Sequence, residues 1–124
     1  MPIPTRESPF LAYLLVHATM LRGRLDVTSG AAERLEKRAL ALELLAELVR
    51  ALPEDDERLL LLATLAVRHG QFVPGPAAEH ALTQFAGTSR EACDAFLDNL
   101  VRTARDDALA RAREHGHLPP ERPR

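Results

Sequence analysis

The chain has no tryptophan, one cysteine and one lysine among its 124 residues. With Cys93 alone, an intramolecular disulfide and a cysteine-rich metal site are both excluded, and the thiol is most simply read as a small buried apolar group. That usage suits a reducing compartment, and a cytoplasmic location is expected. The remaining cationic residues are arginines, and leucine and alanine supply most of the apolar content, a composition that favours helices. A large charge of either sign is also missing. With a net charge of -2, binding nucleic acid over the whole surface is excluded, and any such binding must come from a local patch. No apolar run is long enough to span a bilayer. The longest near the N-terminus, residues 10 to 21, begins nearly neutral, contains His17, is followed by Arg22 and Arg24, and has no convincing small-residue cleavage site. No membrane partner is expected. Gly-rich phosphate loops, nucleophile elbows and paired-carboxylate constellations are absent, so neither a cofactor nor an enzyme is expected.

What is present is helical periodicity. Ser8 is positioned to cap, and Pro9 to open, a helix near residues 9 to 23, with Phe10, Leu11, Leu14, Leu15, Ala18 and Leu21 repeating at three and four residues. A second helix is expected near residues 30 to 51. In it Leu35, Leu42 and Val49 fall seven apart, Leu45 and Leu52 follow the latter two by three, and Leu40, Leu44 and Leu48 make an adjacent stripe. A helix apolar over so much of its circumference needs cover on two sides. In so short a chain a second copy is a natural source, so Leu35, Leu42, Leu45, Val49 and Leu52 are expected at a homodimer interface. Pro53 and the acidic run from Glu54 to Glu57 open a third helix, near residues 54 to 69, whose acids suit the positive end of a helix dipole. Its apolar core from Leu59 to Val67 predicts a central buried element, stopped by Gly70.

Residues 76 to 102 read as helix, turn, helix. Ala78, Ala81, Leu82 and Phe85 mark a helix near 76 to 86, and Gly87 ends it where a left-handed backbone is expected. Thr88, Ser89, Arg90 and Glu91 then fit a capping box, in which Thr88 caps and Glu91 reaches back. Beyond them Cys93, Phe96, Leu97, Leu100, Val101 and Ala104 share one face, and the pattern continues to about residue 115. Such a unit can lay its second helix in a DNA groove, or it can be ordinary packing of two helices.

Residues 82 to 100 resemble the helix-turn-helix of the Crp/Fnr family of transcription regulators. Gln84, Gly87, the run Ser89-Arg90-Glu91, and Leu97 with Leu100 carry the likeness, and residues 56 to 71 and 35 to 52 are similar to the family's preceding and dimerisation helices. The resemblance implies that Ser89 contacts phosphate and that Arg90 and Glu91 contact base edges, where arginine forks onto guanine and glutamate accepts from cytosine. The sequence departs from the family in several places. Ala95 stands where a second reading arginine is frequent, Thr83 replaces a small residue, no hairpin wing follows, and no cyclic-nucleotide β-barrel precedes the motif. Asp94 and Asp98 lie on the outer side of the second helix, where they would face phosphate.

Other chemistry has thinner support. Arg111 and His117 match the arginine–histidine spacing of helical HEPN ribonucleases, but at a helix end that runs into a Pro-rich tail rather than inside a bundle. His115 and His117 lack a third ligand, so no metal site is expected. The chain is therefore expected to be all-α: about five helices in one domain over residues 1 to 115, with a flexible tail from 116 to 124. Its expected function is that of a small homodimeric regulator of transcription that binds double-stranded DNA through Thr88, Ser89, Arg90, Glu91 and Arg102. The alternative is a non-enzymatic helical interaction or scaffold protein, with the same motif used for a protein partner.

Overall fold

The computed structural model describes residues 8–24 and 32–116. In order they form α1 (Pro9–Gly23), α2 (Ala32–Ala51), α3 (Glu57–Leu65), β1 (Val67–Arg68), β2 (Gln71–Phe72), α4 (Pro76–Gln84) and α5 (Arg90–Glu114). The all-α expectation holds, with one small hairpin added. Helix α1 starts as its sequence predicts, since the Ser8 Oγ accepts from the Leu11 N–H at 3.1 Å and Pro9 opens the first turn. It buries Phe10, Leu11, Leu14, Ala18 and Leu21.

Helix α2 is the centre of the molecule. Its buried side chains are Ala39, Ala41, Leu42, Leu45, Ala46, Leu48 and Val49, a spread too wide for one neighbour to cover. Helix α1 packs along one side of it and α5 along another. The Arg22 guanidinium also clasps the Glu43 carboxylate through two bonds of 2.7 and 2.8 Å, tying α1 to α2. The expected dimer interface is corrected by this packing. Leu42, Leu45 and Val49 lie inside the core of a single chain, and Leu35 and Leu52 are half-buried against the same cluster. The two-sided cover that pointed to a second copy is supplied by α1 and α5.

The third helix is shorter and more peripheral than expected. Asp56 adopts an extended backbone and its Oδ1 accepts from the Arg58 N–H at 2.9 Å, so Asp56 is the cap and Glu54 and Asp55 precede the helix. Of its leucines only Leu62 is fully buried, while Leu60 is 53% exposed. The helix ends at Leu65 because the chain turns back on itself. His69 (φ 54°) and Gly70 (φ 76°) both take left-handed backbones, as a two-residue hairpin turn requires, and Val67 pairs with Phe72 and Arg68 with Gln71. Packing of Phe72 rewards that turn: its ring sits edge-on to Phe10 at 5.1 Å and to Tyr13 at 5.5 Å.

Helix α4 begins without a side-chain cap of its own, because Gly75 stands at the cap position. The missing acceptor comes from 29 residues downstream. The buried Asp107 carboxylate of α5 accepts from the Ala78 N–H at 2.8 Å and from the Ala77 N–H at 3.4 Å. Gly75 makes this approach possible, since a Cβ there would come within 2.5 Å of the Asp107 Cβ. At the far end Gly116 (φ 76°) follows α5 in the left-handed conformation, as its sequence position suggests. Residues 117–124, expected as a tail, lie outside the described residues, as do residues 25–31 before α2. The buried side chains of all five helices form one cluster.

Removing the cap should be measurable in urea. Asp107→Ala is expected to cost about 1 to 3 kcal/mol by leaving the first-turn donors of α4 without their charged acceptor. Gly75→Ala should also destabilise. The double variant should lose less than the sum of the two, because the methyl added at 75 still meets the Cβ of residue 107 but no longer its carboxyl carbon and oxygen. Strict additivity would show that the contact is not made in solution.

Candidate nucleic-acid interface

Helices α4 and α5 are joined by five residues whose geometry is set by one aromatic stack. The Phe85 ring lies on that of Phe96 at 3.9 Å and 15°, and it passes so close to Gly87 that a Cβ there would be 2.6 Å from the ring. Glycine at this position is thus required by a ring and not, as expected, by a left-handed backbone, which Gly87 does not adopt. The cap is also displaced by one residue. Ser89, not Thr88, caps α5, its Oγ accepting from the Ala92 N–H at 3.1 Å, and Glu91 at the second helical position does not reach back to close a capping box.

Thr88, Ser89, Arg90 and Glu91 are all exposed at the start of α5. Arg90 has no ion-pair partner among the described residues. Arg102 is exposed as well, but twelve residues on it stands about 18 Å along the helix and about a third of a turn around it from Arg90. The five expected DNA-contacting residues therefore do not converge on one patch.

Between them lies an arrangement that the sequence reading missed. The Arg58 guanidinium of α3 binds Asp94 at 2.7 Å and Asp98 at 3.0 Å on α5, and folds back onto Asp56 at 3.1 Å. Three carboxylates thus surround one guanidinium, which docks the start of α3 on the outer side of α5. The hydrogen bonds that Arg58 donates to Asp56 and then to Asp94 raise its pKa above the ordinary value, and the Arg58 bond holds the Asp56 carboxyl below its own. Part of the signal was in the chain. Asp94 and Asp98 are one helical turn apart, and Arg58 is the first cation after a helix-capping aspartate.

Elsewhere the polar groups serve packing. Tyr13 donates to the Glu79 Oε1 at 2.5 Å and stacks on His17 at 5.7 Å, and burial followed by the Glu79 bond pushes its phenol pKa up. Burial likewise raises the Cys93 thiol, which makes it a poor nucleophile. Asp107 of α5 is buried and caps α4. Among the described residues no three His, Cys, Asp or Glu side chains are grouped to hold a metal ion, and no helix is long and apolar enough to cross a membrane.

No protein-family model, curated protein or solved structure matches the chain.

Neutralising the hub should loosen α3 from α5. Arg58→Ala is expected to lower stability by about 1 to 2 kcal/mol near neutral pH, a modest loss because the cluster is partly solvated. The sign of its pH dependence follows from Asp56. Its folded pKa is depressed, so its stabilisation is present above the ordinary carboxylate value of about 4 and is lost as pH falls through the folded value. Unfolding curves of wild type and variant should converge on acidification below about pH 4. A constant gap down to pH 2 would refute this linkage.

Proposed function

We propose that the chain is a non-catalytic, all-helical protein-interaction module rather than a reader of DNA. The observation that carries this reading is the Arg58 cluster. A duplex approaching the outer side of α5 would meet Asp56, Asp94 and Asp98 with only one guanidinium among them, and that guanidinium is already engaged. Close carboxylates repel phosphate, whereas groove binding depends on releasing counterions from it. Over the rest of that side, Arg90, Arg102 and Arg105 are set against Glu91 and Asp106, all of them exposed. This balance gives little attraction for a polyanion and suits a partner that presents both signs of charge.

Transcription regulation through DNA remains the second reading, favoured by the exposed turn from Thr88 to Glu91 with an uncommitted Arg90 at the first position of a 25-residue helix. The two readings separate in a mobility-shift selection from random duplex DNA. The interaction reading predicts no retention even at low salt, where attraction to phosphate is strongest. Selection of a site whose affinity falls by about 1 to 3 kcal/mol in Arg90→Ala would overturn it in favour of DNA recognition.

A further inference from the structure

Helix α2 keeps one side out of the core that α1 and α5 close over. Along it Glu33, Lys37, Leu40, Leu44, Glu47 and Ala51 follow one another at alternating intervals of four and three residues, the spacing of a helix-pairing seam. All are exposed except Leu44, which is half-buried, and Leu40 is 44% accessible. This seam is distinct from the one through Leu35, Leu42 and Val49, which packs into the chain's own core. Glu36, Glu43 and Arg50 run along one flank of it. Of these charges Glu43 is already neutralised by Arg22, whereas Lys37, Glu47 and Arg50 form no ion pair among the described residues.

We infer that this side of α2 pairs with the same side of a second copy, the two helices antiparallel about a twofold axis level with residue 42. The order of the charges supports it. The spacing of the seam is the same in both directions, so an antiparallel copy sets Leu40 against the partner's Leu44, Lys37 against the partner's Glu47 and, on the flank, Glu36 against the partner's Arg50. The twofold axis makes each of these contacts twice. Glu43 lies beside the axis and faces its own counterpart, but each copy brings the Arg22 clasp with it. A parallel pair is disfavoured, because Glu33, Lys37 and Glu47 would then each meet a like charge. An apolar partner would strand Lys37 and Glu47 without a counter-charge, and a helix of one sign would repel one of them. A surface that complements itself in one orientation identifies a second copy as its occupant. This assignment moves the self-association surface from the buried leucines of α2 to the solvated side of the same helix. It rests on the interaction reading above and narrows it to one surface and one partner. Two 20-residue helices in contact bury less than the ~800 Å² per partner of a stable complex, so the dimer is a weak one.

The test is sedimentation of the full chain from low micromolar to several hundred micromolar, at two salt concentrations. A monomer–dimer equilibrium is expected, with a midpoint that rises with salt because ion pairs cross the interface. Lys37→Glu and Glu47→Lys should each raise the midpoint at least tenfold, since each sets like charges against each other twice, and each should melt close to wild type because both side chains are exposed. Mixing the two single variants should restore a dimer as tight as wild type, since one chain's Glu at 37 then meets Lys at 47 of the other, and the chain's own Glu47 meets the other's Lys37. The double variant Lys37→Glu with Glu47→Lys should dimerise on its own for the same reason. A chain that is monomeric throughout, single variants that dimerise like wild type, or a mixture that stays monomeric overturns the assignment without touching the broader interaction reading. Duplex binding by wild type that shows the reciprocal pattern would instead sink the interaction reading and leave the α2 pairing standing.

Discussion

A single carboxylate determines how the second half of the chain is arranged. Asp107 enters the first turn of α4 from the middle of α5, over a glycine that leaves it room, and supplies the acceptor that the local sequence withholds. Helix dipole and charge act in the same direction there, because the positive end of α4 faces the anion. Once that contact is made, the start of α4 and the middle of α5 are fixed to each other, and the short link between the helices is closed by the stack of Phe85 on Phe96. The angle of the helical pair is thus set from both ends, and what it presents to solvent follows from it.

A second constraint works through α2. A helix with seven buried residues spread round its axis can be stable in a chain of this size only if more than one neighbour closes over it. Helices α1 and α5 do so, and the Arg22–Glu43 clasp holds the first of them in place. The same closure leaves α3 to cover only part of the core, which is why a leucine-rich segment ends with one of its leucines in water. Burial here is a matter of which neighbours are to hand, not of apolar content alone.

Much of this was legible in the residues where the determinants are local. The start of α1 follows from Ser8 and Pro9, and the end of α5 from Gly116, because caps and left-handed glycines act within a few residues of themselves. The failures share the opposite property. Asp107 caps a helix 29 residues upstream, and nothing in a window around either partner reveals it. The hairpin at Val67 to Phe72 is too short to alternate, and its reason for existing is an aromatic contact with α1, more than fifty residues away. At the candidate site the exposed turn from Thr88 to Glu91 was readable, but a contest between Thr88 and Ser89 for one cap was not, since either hydroxyl satisfies the pattern. Asp94 and Asp98 were seen as outward charges, while their joint hold on Arg58 depended on where α3 would lie.

The Asp107 contact also bears on how the molecule breathes. Backbone amides in the first turn of a helix ordinarily have no acceptor in their own helix and exchange their hydrogens with water readily. Those of Ala77 and Ala78 instead point into a buried carboxylate on another helix, so each can be released only when α5 withdraws. The start of α4 and the middle of α5 therefore open as one cooperative unit, and the amides at what looks like a frayed helix start will exchange as slowly as those of a helix interior.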